Sequence, residues 1–243
     1  MRFFLKRIGQ IISVILVIVL ANFSFKYFYP DQFERFFEPI PNKIESSITI
    51  EPNEFNVEVA LMRLGIPTGV VDGVWDERSK QGFCIWRELT GRDINRENPE
   101  LAEQIAIVET KQLKLDKDFI VGVNVNKACQ SAIWVKDATM HNFEIFTVST
   151  GVEPGGTDVG TWSVTWQVNR WYESVQIPDG WMYKPIFFAY KGQALHGSEK
   201  DSFVHWYPAS HGCVRMLHAD IEKLWAANFG VGDLVRVYGK WQG

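Results

Sequence analysis

Cysteine is scarce in this chain: Cys84, Cys129 and Cys213 are the whole supply among 243 residues. Three are too few for a disulfide-dense scaffold. The five histidines do not combine with them at a spacing that supplies a fourth ligand, so no metal site is expected. Basic stripes are missing as well. With a net charge of -4 and no Lys/Arg-rich face, nucleic acid is excluded as a partner class. Charge is modest at 22% and hydrophobic residues make up 46%, which argues against a disordered chain and provides for real cores. The length allows one large domain, or two small ones with appendages.

What the chain does have is a thiol with bases around it. Ala194-Leu195-His196-Gly197-Ser198 is followed a short loop later by Ser210-His211-Gly212-Cys213-Val214-Arg215-Met216. A thiol becomes a strong nucleophile when an imidazole takes its proton or stabilises the thiolate, which makes Cys213 the candidate nucleophile. A lone cysteine reads more simply as a small buried hydrophobe. Here Gly212 removes a side chain just before the thiol, and Ser210, His211 and Arg215 surround it with polar groups, a poor pattern for core.

In these residues the chain resembles the L,D-transpeptidases that remodel bacterial peptidoglycan, whose signature is a His, a variable loop and then Ser/Thr-His-Gly-Cys. Val148-Ser149-Thr150-Gly151 and Gly160-Thr161-Trp162 resemble that family's Ser-Thr-Gly strand end and the strand that follows. One departure is visible: the family's Thr-Pro-x-Gly reads Thr157-Asp158-Val159-Gly160 here. The resemblance spans about residues 119–238. It implies that Cys213 attacks the carbonyl between the third residue and the terminal D-Ala of a tetrapeptide stem, forming a thioester that an acceptor amine resolves. It carries the base role to His196, with the Gly197 carbonyl orienting the ring and His211 shaping the pocket. The Gly212 and Cys213 N–H groups are candidates for an oxyanion hole. Arg215 either meets a substrate carboxylate or holds its own loop through carbonyls. Ser210, Gly212, Met182 and Tyr183 complete the expected substrate surroundings. The resemblance implies no cofactor, peptidoglycan stem peptides as partners and carbapenem-type inhibitors as covalent ligands. Rival readings are an L,D-carboxypeptidase or another Cys-dependent wall peptidase, and an inactive wall-binding scaffold. In a papain-like peptidase the Cys precedes its His, whereas here His196 comes first.

The amino end points outside the cytoplasm. Arg2, Lys6 and Arg7 precede an almost wholly apolar run over residues 8–25, long enough to cross a bilayer, and aromatics continue to Tyr29. Residues 1–29 are read as a transmembrane anchor, with a cleaved signal peptide as the alternative. Either way the body of the protein is extracytoplasmic, membrane-anchored or secreted. Residues 30–52 read as a spacer rich in Pro and aromatics. Residues 53–112 are assigned to a small helical module with helices over 56–64 and 76–89, the second N-capped by Asp76. Around Asp72-Gly73-Val74-Trp75 it resembles the three-helix peptidoglycan-binding module, the other reading being a bundle that braces the next domain.

Residues 117–240 read as the catalytic domain. Strand patterns over 119–125, 131–135, 143–149, 161–168 and 234–238, with a helix over 218–228, predict a mainly β fold, a β-sandwich. Ten tryptophans are many for this length. Most read as core, while those in the irregular stretch 170–185 are candidates to wall a cleft. In an oxidising compartment Cys84 and Cys129 form a disulfide if the fold brings their Cα atoms within about 7 Å, and are otherwise two buried thiols.

Overall fold

Asn53 and Asp76 start the first two helices by the same device. The Asn53 Oδ1 accepts the Asn56 N–H at 2.8 Å, opening α1 (Glu54–Arg63), and the Asp76 Oδ1 accepts the N–H groups of Arg78 and Ser79 at 2.8 and 3.0 Å, opening α2 (Glu77–Leu89). Each such cap satisfies donors the helix itself leaves unpaired and contributes about 1 kcal/mol. A third helix, α3 (Leu101–Glu109), which the resemblance to a three-helix module implies, has no range that the sequence pattern assigns. Leu101, Ala102, Ile105, Ala106, Ile107 and Val108 leave it no polar face to generate a period, and Ile107 alone is fully buried. The Glu103 carboxylate joins it to α2 by accepting from Arg87 Nε and Nη2 at 3.0 and 2.8 Å.

The computed structural model describes residues 52–242 except 96, 116, 117, 155, 175, 176, 178 and 179. The expected anchor (1–29) and almost all of the expected spacer (30–52) lie outside the described residues. Among the described residues no helix is long and apolar enough to cross a membrane.

Ten strands follow the helices: β1 (Gly122–Asn126), β2 (Ser131–Val135), β3 (Phe143–Ser149), β4 (Gly160–Ser163), β5 (Trp166–Gln167), β6 (Trp171–Glu173), β7 (Trp181–Phe187), β8 (Ala194–Gly197), β9 (Val214–Met216) and β10 (Leu234–Tyr238). The helix α4 (His218–Ala226) lies between the last two. They form one sheet in the order β4-β10-β1-β2-β3-β9-β8-β7-β5, with β6 on β7. This corrects the expected β-sandwich: a single sheet curls on itself. The reason is β3, whose residues 143–147 pair with β2 while Val148 and Ser149 pair with β9, so no break separates two sheets. The curl closes over a core in which Val123, Trp134, Phe146 and Val235 of one end meet Ile186, Leu195, Val214 and Met216 of the other, with Ile221 and Leu224 of α4.

Strand alternation sends the next set of side chains the other way. Ile133, Val135 and Ile145 pack with Val57, Leu61, Phe83 and Trp86 of α1 and α2 in a second core. Cys84 and Cys129 meet within it as a disulfide with Cα atoms 5.5 Å apart. The segments read as 53–112 and 117–240 therefore share a core and lie in one compact unit. The turn at Asp72-Gly73, read as a wall-binding feature, is held from inside: the buried Glu58 carboxylate accepts the N–H groups of Asp72 and Gly73 at 3.2 and 2.9 Å and the Ser79 hydroxyl at 2.6 Å. Trp75 packs against the shared core.

Candidate active site

The parallel pairing of β8 with β9 places the two halves of the motif side by side, Leu195 opposite Val214 and His196 opposite Arg215. Leu195 and Val214 are fully buried in the core, so by alternation His196, Cys213 and Arg215 face away from it. There they line a cavity of about 430 Å³ with Ser210, His211, Gly212 and Met182. Cys213 is partly buried and is the only free cysteine among the described residues.

His196 is 6% exposed, and its Nδ1 lies 2.8 Å from the Gly197 carbonyl oxygen. That contact is satisfied with the proton on Nδ1, which leaves Nε2 with a lone pair. Burial lowers the imidazole pKa to about 4, the Gly197 carbonyl opposing the shift and the Arg215 charge adding to it. Burial also pushes the Cys213 thiol up, against the Ala194 backbone N–H and the Arg215 charge, which both favour thiolate. The resting pair near neutral pH is accordingly a neutral imidazole and a thiol. Because the unfolded histidine takes a proton that the folded one refuses, this residue contributes stability above about pH 6.5 that is lost as pH falls towards 4. The loss attributable to it is on the order of 3 kcal/mol. His196→Gln is expected to flatten that part of the acid limb, and urea midpoints of both proteins at pH 7 and pH 4.5 measure it.

Ser210 organises the turn before the thiol. Its hydroxyl donates to the Cys213 carbonyl at 2.5 Å and accepts the Gly212 N–H at 3.1 Å. That uses the Gly212 amide, one of the two donors expected in an oxyanion hole, and leaves the Cys213 N–H for that role. Gly212 has φ +131, a conformation that favours glycine, and Gly151 passes so close that a Cβ on it would meet the Gly212 Cα at 2.7 Å. Arg215 does not hold its loop through carbonyls. Among the described residues its guanidinium, half-buried in the cavity wall, has no hydrogen-bond or ion-pair partner and lies 6.0 Å from the Phe203 ring centroid.

Tyr183, expected among the substrate surroundings, is not among the residues that line the cavity. Met182 lines the cavity, as Trp181 before it does, while Tyr183 packs on Trp171 and His218 and donates its hydroxyl to Glu222. His218 itself supports the end of β8. Its Nε2 meets the Ser198 carbonyl at 2.5 Å, and its ring fills the space that a side chain at Gly197 would need. Of the aromatics, Trp166, Tyr172, Trp181 and Phe187 line the cavity, Trp166 stacking on Phe187 with centroids 4.0 Å apart.

Residues that the sequence reading passed over hold the loop after Gly151. The Lys127 ammonium donates to Glu153 Oε1 at 2.5 Å and to the Thr157 carbonyl at 2.8 Å, Thr157 Oγ1 accepts the Gly151 N–H at 2.9 Å, and Gln193 Oε1 accepts the Asp158 N–H at 3.0 Å. These bonds tie down the loop in which Asp158 stands where the family pattern has proline. Gln193 also lines the cavity, with Ser198, Glu199 and Phe203. No short motif marks such residues.

Residues 120–237 match the YkuD family, the L,D-transpeptidase catalytic domain. Among solved structures the chain is similar to an L,D-transpeptidase (residues 123–326) from Xylanimonas cellulosilytica, at 22% identity and a TM-score of 0.51 over 76% of this chain and 92% of that one. It is also similar to an L,D-transpeptidase from Stackebrandtia nassauensis, at 22% identity and a TM-score of 0.49 over 78% and 92%. A third is L,D-transpeptidase 3 from Mycobacterium tuberculosis in complex with a faropenem-derived adduct, at 18% identity and a TM-score of 0.39 over 48% and 59%. No curated protein matches the chain.

Proposed function

We propose that Cys213 carries an acyl group as a thioester in an extracytoplasmic L,D-transpeptidase reaction on peptidoglycan stem peptides. The observation that carries this reading is the pairing of β8 with β9, which brings a neutral histidine with an unengaged Nε2 and a free thiol onto one cavity wall. The matched catalytic-domain family supports the reaction class. The thiol passes its proton to His196 Nε2 as the sulfur attacks the carbonyl before the terminal D-Ala, and the Cys213 N–H meets the developing oxyanion. The tetrahedral adduct collapses with loss of the D-Ala amine, which takes the proton back from His196. An acceptor amine then gives its proton to the same nitrogen, attacks the thioester and returns the thiol. Arg215, charged and without an ion-pair partner among the described residues, meets a carboxylate of the stem. The Cys84–Cys129 disulfide supports an oxidising compartment for this unit.

The test is a carbapenem incubated with the whole protein, followed by intact mass and peptide mapping. One adduct on Cys213, absent from Cys213→Ala, is the expected result. No adduct, together with no turnover of a tetrapeptide donor, would sink the reading. The base is tested separately. His196→Ala should slow alkylation of Cys213 by iodoacetamide near neutral pH by about 10²-fold, while His211→Ala, exposed at the rim, should change it much less; the reverse order would exchange the two roles.

A further inference from the structure

The connection between His196 and Cys213, residues 198–209, has to hold the thiol in register with its base. Part of its anchorage comes from β3 and the residues just after it. Ser149 Oγ donates to the Tyr207 carbonyl at 2.8 Å, and the Thr150 carbonyl accepts the N–H groups of Ala209 and Ser210 at 2.9 and 3.0 Å. His218 holds the connection at Ser198 and Asp201, and a further part comes from outside the matched catalytic domain. Arg78, on the first turn of α2, donates through Nη2 to the Val204 carbonyl and through Nη1 to Thr147 Oγ1 at 2.7 Å and Gln81 Oε1 at 2.9 Å. Val204 is 1% exposed, so that carbonyl has little water to replace the arginine. One turn along the same helix, Gln81 Nε2 donates to the Gln130 carbonyl at 2.6 Å. Gln130 is fully buried, with φ +52; its Oε1 accepts the Thr150 N–H at 2.8 Å and its Nε2 donates to Thr150 Oγ1 at 2.9 Å. Helix α2 therefore reaches the 198–213 segment twice, directly at Val204 and through Gln130 and Thr150 at Ser210, whose hydroxyl closes the Cys213 turn. The Cys84–Cys129 bridge, three residues beyond Gln81 on one side and next to Gln130 on the other, fixes the register of the two partners.

We infer that Arg78 and Gln81 are positioning residues for the reaction at Cys213, and that the helical segment 53–112 serves the site as part of its scaffold rather than as a separate wall-binding module. The inference rests on the proposed role of Cys213. Arginine suits the task because its planar fork serves three acceptors at once, which an ammonium at the same place cannot do.

Acylation by a carbapenem, resolved into a maximal rate and a half-saturating concentration well below the melting temperature, tests it. Misplacing the thiol by a fraction of an ångström weakens the attack more than the encounter. Arg78→Met should therefore lower the maximal rate by about tenfold or more while the half-saturating concentration changes less than about threefold, and Arg78→Lys should recover part of the rate. Arg87→Met is the control: it removes the Glu103 ion pair from the same helix without touching this chain of bonds, and is expected to lower the melting temperature with the acylation rate within about twofold of the parent. If Arg78→Met fails to fold, Gln81→Met and Arg78→Lys are measured in the same way. Parental acylation rates in the Arg78 variants, or rate losses in Arg78 and Arg87 variants that simply follow melting temperature, would overturn the inference. If the parent protein takes no carbapenem, the failure belongs to the proposed function. The positioning role is then read from iodoacetamide alkylation of Cys213, whose pH profile in Arg78→Met should move towards that of His196→Ala, an unmoved profile refuting it.

Discussion

Cys213→Ala should abolish transfer from a tetrapeptide donor, a loss of at least about 10⁴-fold, with the melting temperature close to that of the parent. The size of the effect follows from the chemistry: every bond change in the proposed cycle passes through this sulfur, and no other free thiol is present among the described residues. Cys213→Ser should be nearly as inactive. A hydroxyl is far less acidic than a thiol, and His196, held neutral by burial, is too weak a base to remove its proton efficiently. The fold is spared because Cys213 sits at the cavity surface and the bonds that shape its turn are made by Ser210 and the backbone. Donor turnover followed by release of D-Ala checks the activity and a thermal melt checks the fold. Turnover retained by the alanine variant would place the nucleophile elsewhere.

The second large effect belongs to the other two cysteines. Replacing both Cys84 and Cys129 with alanine opens a loop of 45 residues in the unfolded chain. The chain-entropy estimate for a loop of that length is about 4 kcal/mol. For a unit of this size that is a fall of roughly 10 °C in melting temperature. Denaturant midpoints and thermal melts of the double variant check the value; an unchanged midpoint would show that the shared core of α1, α2 and the sheet fixes this contact without the bond. Because Gln81 and Gln130 flank the bridge, the same variant should also acylate more slowly than its stability alone accounts for.

The comparison of chain and fold divides by range. The capping role of Asp76, the alternation of β1 to β3, and the placement of His196 and Cys213 in one motif are set by interactions within a few residues or by a simple period. The sequence alone was therefore enough to nominate the helices α1 and α2, the main strands and a minority of the side chains that line the cavity, those of the His196 and Cys213 motif and Met182 among them. The same kind of signal was absent for α3, whose apolar residues run all round it, and weak for β5 to β9, which are mostly two to four residues long and find their partners only through the curl of the sheet.

Tertiary structure alone decided that the β region is one curled sheet rather than a sandwich, because that depends on β3 continuing from β2 onto β9. It decided that Met182 and not Tyr183 lines the cavity, that Ser210 takes the Gly212 amide, and that Arg215 has no hydrogen-bond or ion-pair partner among the described residues. It also decided that Arg78 meets Val204 across 126 positions of chain. Propensity and pattern report what a residue does to its own turn or strand; which carbonyl an arginine meets on another element is settled by how two cores close on opposite faces of one sheet, and the residues involved carry no mark of it in their order.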